Sequence, residues 1–339
     1  MSETTRRNLL QSTALAAGAA AFIGKQVRAQ AQEPAEPAWK TLFPAGFKNE
    51  RVKTSGAEIN VVHGGEGPAV LFMHGAPLSL CSWSTIAAEV SKHHRMICMD
   101  LRGYGDSQKL ADQPESAQMS KRPMALDGVE VMKHFGYDKF LVVGHDRGGR
   151  VARRMALDHK DKVTKLVTVD IVPAHYLYSH VTIEFVQAYP HWFTYLLRPG
   201  QAGSQENELQ KQYEQAGAGG GAGKGKGGGK GGPASGLNAE YTRVRAIPGF
   251  AHAMCEDYRA SAGIDLKNDA ADIAKGNKIQ CPVNVLWASD GPMGRIYDVL
   301  GIWKSEGVNV TGKALTGGHN LHEGNPAGVA AELINFLKA

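Results

Sequence analysis

The sequence predicts an α/β fold in which a mainly parallel, doubly wound sheet carries a helical cap inserted after its sixth strand. Short β-branched runs at 69–73, 95–99, 140–143, 165–169 and 283–287 alternate with helical patterns, the mark of βαβ units. Between the strand ending at Asp170 and the one beginning at Val283, about a hundred mostly helical, aromatic-rich residues intervene, too many for a plain connection. With 339 residues, 42% of them apolar and 21% charged, the chain has material for one large domain with a sizeable insertion.

The elements follow in order. Residues 51–54 and 57–63 read as an antiparallel hairpin entering the sheet, closed by the turn Gly64-Gly65-Glu66-Gly67-Pro68. The parallel strands come next, then the cap, then a last strand at 309–314 and a last helix at 326–337. The expected divisions are a leader at 1–31, a core at 32–173 and 263–339, and a cap at 174–262. Within the cap, residues 216–236 are almost entirely Gly, Ala and Lys, a composition that cannot bury apolar surface and predicts a flexible loop. Gly223-Lys224 does not make it a phosphate-binding loop: Ala218 stands where the first glycine is needed, and Gly225 replaces the Ser/Thr that would hold magnesium.

The leader pairs Arg6-Arg7 with a weakly apolar Ala/Gly-rich run and ends in Ala29-Gln30-Ala31, a small-x-small cleavage site. It resembles a twin-arginine export signal, which implies a periplasmic mature protein starting near Gln32 and not membrane-bound after cleavage. The formal charge of +5 owes much to this segment. Without Arg6, Arg7, Lys25, Arg28 and Glu3, 34 cations face 32 acids, which argues against a nucleic-acid partner. Cys81, Cys98, Cys255 and Cys281 lack metal-ligand spacing and are expected to be buried thiols; no metal or cofactor is expected.

The chemistry concentrates at Gly144-His145-Asp146-Arg147-Gly148, which follows an apolar strand and opens a helical run. This is the nucleophile-elbow pattern of α/β-hydrolases with Asp in place of Ser. A carboxylate changes the reaction: it attacks an sp³ carbon and leaves an alkyl ester, so serine-type ester hydrolysis is disfavoured. Upstream, His74-Gly75-Ala76-Pro77 ends a strand, and the backbone N–H groups of Ala76 and Arg147 are the expected oxyanion hole. His74 is expected to orient that turn. Arg147 and Arg150, three apart at a helix start, place two guanidinium forks on one face, where an anion between them relieves their repulsion. Arg153 and Arg154 are expected to be structural.

Gly144-His145-Asp146-Arg147-Gly148-Gly149-Arg150 also resembles the fluoroacetate (haloacetate) dehalogenase family. So do Asp100-Leu101-Arg102-Gly103-Tyr104-Gly105-Asp106-Ser107 and Ser120-Lys121-Arg122-Pro123-Met124-Ala125. The resemblance implies that Arg147 and Arg150 hold a substrate carboxylate, and that Ala188-Tyr189-Pro190-His191-Trp192-Phe193 and Glu240-Tyr241 supply halide donors in His191, Trp192 and Tyr241. It also makes a homodimer an expectation. Two departures stand out: Ala76 where the family commonly has Phe, and Leu80 where it often has His. Both widen or depolarise one wall.

Gly317-Gly318-His319 follows the last strand, which makes His319 the expected base in preference to His322. Its acid partner is either Asp170, at the end of 165–170, or Asp290, in the loop after 283–287. Val169-Asp170-Ile171-Val172-Pro173 resembles the haloacetate dehalogenase motif and favours the first, leaving Asp290 as the alternative. The expected activity is hydrolysis of a small anionic 2-haloacid, haloacetate giving glycolate and halide. Two alternatives stand beside it. An epoxide hydrolase would need two cap tyrosines, Tyr241 as one and Tyr189, Tyr195, Tyr213 or Tyr258 as the other; a non-catalytic carboxylate-binding protein would need no base.

Overall fold

The computed structural model describes residues 37–218 and 235–338. The leader expected at 1–31 and most of the Gly-rich stretch lie outside them. Eight strands form one sheet: β1 Lys48–Lys53, β2 Glu58–Gly64, β3 Ala69–Met73, β4 Arg95–Met99, β5 Phe140–His145, β6 Val163–Val169, β7 Val283–Ala288 and β8 Val310–Leu315. Their spatial order is β1-β2-β4-β3-β5-β6-β7-β8. β1 and β2 are antiparallel to each other and β2 to β4, while every pairing from β4 to β8 is parallel. The predicted fold class is therefore observed.

One local expectation needs correction. The β1–β2 hairpin closes at Ser55-Gly56, where Thr54 N–H donates to the Ala57 carbonyl at 2.9 Å and the Thr54 hydroxyl caps the same turn. Gly64–Pro68 instead carries the chain from β2 into β3. The tight Thr-x-Gly-Ala turn is built by a side-chain hydroxyl, a weaker signal in sequence than a run of glycines.

Parallel strands are covered on both faces, so they read as continuous apolar runs; every residue of β3 and β5 is buried. Alternate side chains feed two cores. Leu71, Ile97 and Val142 pack on one face, and Phe72, Cys98 and Val143 on the other. The chain leaves β3 for β4 on one side and returns to β5 on the other, which opens a crevice at the carboxyl ends of β3 and β5, the usual ligand position in open α/β sheets.

Between β6 and β7 the structure is helical, with helices at Ala174–Ser179, Ile183–Ala188, His191–Thr194, Glu206–Gly217, Ser235–Arg245, Phe250–Ala262 and Ile264–Ala274. The helix ending at Gly217 and the one beginning at Ser235 take in both edges of the segment expected to be a loop at 216–236. Residues 216, 217, 235 and 236 are thus helical. Cys81, Cys98 and Cys255 are buried thiols, and Cys281 is half-buried and also free. No helix among the described residues is long and apolar enough to cross a membrane.

Candidate active site

β5 ends at the elbow. Asp146 has φ 45° and ψ −114°, a backbone strained for a residue with a side chain, and the helix Arg147–Asp158 starts immediately after it. The flanking glycines make the turn sterically feasible. A Cβ on Gly144 would lie 2.4 Å from the Gly148 carbonyl oxygen, and one on Gly148 would lie 2.3 Å from that of Met73. Because β3 adjoins β5, the turn after β3 reaches Asp146, and Ala76 N–H donates to its Oδ2 at 3.2 Å. The expected oxyanion donor thus already touches the carboxylate. His74 keeps that turn in place: Leu101 N–H donates to its Nε2 at 3.1 Å, so the ring proton sits on Nδ1, 2.7 Å from the Gly75 carbonyl. Burial holds His74 neutral, its pKa lowered to about 4. Leu80 is corrected as a wall residue, since it is buried in the core with Phe72 and Trp83.

β6 ends at Asp170, also at positive φ, with its Oδ1 held by Ala288 N–H at 2.9 Å and its Oδ2 2.6 Å from His319 Nδ1. The alternative acid, Asp290, lies elsewhere: its carboxylate accepts from Gly317 and Gly318 N–H at 3.1 and 3.0 Å, which caps the loop before His319 and lowers its pKa. A second tether comes from His145, whose Nε2 is 2.9 Å from the His319 carbonyl. Burial disfavours the His319 cation, but the hydrogen bond and charge of Asp170, with Asp146 beyond, outweigh it and raise the pKa. The His319 side chain remains 30% exposed, so water reaches it. For Asp146, burial pushes the pKa up; His319, Arg150, His145 and Arg147 outweigh that, and the group stays ionised.

The two arginines differ. Arg147 is fully buried and locked to Asp257, donating from Nε to Oδ2 at 2.9 Å and from Nη2 to Oδ1 at 2.5 Å, with the Ser261 hydroxyl at 2.6 Å. Lys121 and the Tyr104 hydroxyl complete the shell of Asp257. Among the described residues Arg150 has one hydrogen bond, from Nη2 to the Val172 carbonyl at 3.3 Å, and a longer ion pair of 3.7 Å from Nη1 to Asp146 Oδ1. Arg147 Nη1, Arg150 Nη1 and Arg150 Nε are buried without a hydrogen-bond partner among the described residues. Burial, then Arg147, lowers the Arg150 pKa to about 10. Each orphaned buried donor costs roughly 1–3 kcal/mol, so the site is built for a ligand that accepts. Arg153 and Arg154, by contrast, are spent on Asp269, Glu306 and Asp272.

The cap lays aromatic rings over this pair. The Arg150 guanidinium lies 4.4 Å from the Trp192 ring and that of Arg147 lies 4.2 Å from the Tyr258 ring. His191 packs edge-on to Tyr258 at 5.6 Å, as does Trp192. Burial lowers the His191 pKa to about 4, which leaves a neutral ring with one N–H to offer. Tyr241 is corrected as their companion: its hydroxyl donates to Glu323 at 2.6 Å and its ring is buried in the other core. Tyr258 stands beside His191 and Trp192 instead, and no hydrogen bond among the described residues engages its hydroxyl. Asp257 and Tyr258 share one helix, Phe250–Ala262, that meets the elbow helix only through contacts more than a hundred residues apart.

Residues 68–326 match the α/β-hydrolase fold family. Fluoroacetate dehalogenase from Burkholderia sp is 36% identical over 86% of this chain and 94% of its own length. A soluble epoxide hydrolase from Corynebacterium sp. is 28% identical over 84% and 94%. Among solved structures, an α/β hydrolase from Nostoc sp superposes with a TM-score of 0.76 at 41% identity, covering 86% of this chain and 98% of its own. A candidate epoxide hydrolase from Pseudomonas aeruginosa superposes with a TM-score of 0.74 at 33% identity, covering 87% and 97%.

Proposed function

The chain belongs to the α/β-hydrolase family, and on that premise we propose that it is a hydrolase of short 2-haloacids, releasing halide and a 2-hydroxyacid. One observation carries the proposal: three buried guanidinium nitrogens, without a hydrogen-bond partner among the described residues, stand beside an ionised carboxylate at the elbow. A neutral substrate leaves those donors unsatisfied, whereas a carboxylate accepts from all of them.

The reaction has two halves. Arg147 Nη1 and Arg150 take the substrate carboxylate, which sets Cα against Asp146. An Asp146 oxygen displaces halide from Cα, forming an ester, and the departing anion is hydrogen-bonded by His191, Trp192 and Tyr258. His319, held by Asp170, then takes a proton from water as its oxygen attacks the Asp146 carbonyl carbon. The N–H groups of Ala76 and Arg147 carry the oxyanion, and the hydroxyacid leaves. The twin-arginine leader would place this activity in the periplasm.

Halide release from chloroacetate tests the proposal: wild type should release chloride continuously and Asp146→Asn should not. Equal rates in the two proteins, or no release by either, would refute it.

A further inference from the structure

We infer that the same site also opens a 2,3-epoxy carboxylate, with Tyr258 protonating the oxygen that leaves Cα. This rests on the anion site and nucleophile proposed above and adds a second class of leaving group.

A halide departs as a stable anion and needs only hydrogen bonds, but an alkoxide must be given a proton. The leaving-group side of the site can give one. The Tyr258 hydroxyl is not engaged by any other group among the described residues, and the Arg147 guanidinium lies 4.2 Å from its ring, a cation placed to stabilise the phenolate left behind. His191, neutral and edge-on to Tyr258 at 5.6 Å, supplies a second N–H to the same oxygen. The Tyr189 ring lies 6.0 Å from that of His191, and its buried hydroxyl also has no partner among the described residues. The site thus offers two free phenols as well as an anion clamp. A neutral epoxide uses the first and wastes the second; a haloacetate uses the second and takes a hydrogen bond, but no proton, from the first. An epoxide bearing a carboxylate on the attacked carbon uses both. The extra ring methylene at Cα faces less bulk because position 76, whose N–H touches Asp146, carries only a methyl group.

With glycidate, Asp146 forms a C–O bond to C2 as the C2–O bond of the ring breaks. The electron pair goes to the ring oxygen, which takes the Tyr258 proton and becomes the C3 hydroxyl. Water, deprotonated by His319, cleaves the ester to give glycerate, and the proton on His319 returns through solvent to the Tyr258 phenolate. The sum is glycidate plus water to glycerate.

The full-length protein is given racemic glycidate, propylene oxide or chloroacetate in parallel, and glycerate, propanediol and chloride are measured. Glycidate should be hydrolysed at least about 100-fold faster than propylene oxide. Tyr258→Phe should slow glycidate about a thousandfold but chloroacetate only about tenfold, because only the first needs a proton. Chloroacetate turnover without glycidate turnover would overturn this inference and leave the haloacid proposal standing. Turnover of neither substrate would remove both. Equal rates on glycidate and propylene oxide, or equal losses on both acids in Tyr258→Phe, would overturn the roles given to the arginines or to Tyr258.

Discussion

His319 Nδ1 lies 2.6 Å from Asp170 Oδ2 across 149 residues of sequence. The bond forms because β6 and β7 are neighbours: Asp170 ends the first, and its other oxygen is fixed by a backbone N–H of the second. Asp170→Asn should therefore cut steady-state halide release at least about a thousandfold. Asp290→Asn, which alters only an exposed loop cap, should stay within about tenfold of wild type. The reverse order in a steady-state halide assay would exchange their roles.

The two half-reactions should separate with pH. Asp146 has a lowered pKa and remains a nucleophile well into acid, while His319 has a raised one and loses its function as a base at a pH above the ordinary imidazole value. Near pH ~5, far on the acid side of an ordinary histidine, a stoichiometric burst of halide should precede a steady rate that climbs as pH rises through the His319 pKa. Rapid-mixing halide measurements over pH check this, and loss of burst and steady rate together on acidification would contradict it. The sign for stability is opposite. A raised histidine pKa stabilises the fold below about 6.5, and that contribution disappears as pH climbs through the folded-state value.

Arg147 and Arg150 should fail differently. Arg147→Gln strands the buried Asp257 carboxylate beside Lys121 and should destabilise the fold by about 3–5 kcal/mol. Arg150→Gln removes a cation with little pairing and should leave Tm near wild type while raising KM for chloroacetate at least about tenfold. Thermal melts with kinetics on both variants decide it; a large Tm loss in Arg150→Gln would contradict the anion-site assignment.

Tyr258 and Tyr241 offer a parallel contrast. Tyr258→Phe removes a hydroxyl with no partner, so chloride release should fall about tenfold without a stability cost. Tyr241→Phe takes the donor from buried Glu323 and should cost roughly 1–3 kcal/mol while sparing activity. Denaturant melts and chloroacetate kinetics on the pair provide the comparison.

Legibility in the sequence tracked locality. The parallel strands, the elbow at Asp146 and the turn at Ala76 are set by a few adjacent residues, so apolar runs and glycine spacing reveal them. The Arg147/Arg150 pair was equally visible, being one helical turn. Asp170 and Asp290 both follow parallel strands, and only strand adjacency together with the capping of Gly317 and Gly318 separates them. Asp257 is not legible because its meaning comes from packing against an elbow helix 110 residues away, and Tyr258 is legible only as one of several cap tyrosines, its place beside His191 and Trp192 being set by the same packing. Tyr241 misled because a hydroxyl near a cap motif says nothing of the acid, Glu323, that folding brings to it. Leu80 misled for the same reason, its side chain turning into the core.

The covalent ester on Asp146 is the claim on which the rest depends. His319→Asn protein incubated with chloroacetate, digested and analysed by mass spectrometry should carry a carboxymethyl group on the peptide containing Asp146 and on no other. An unmodified Asp146 in protein shown by calorimetry to bind chloroacetate would contradict the account.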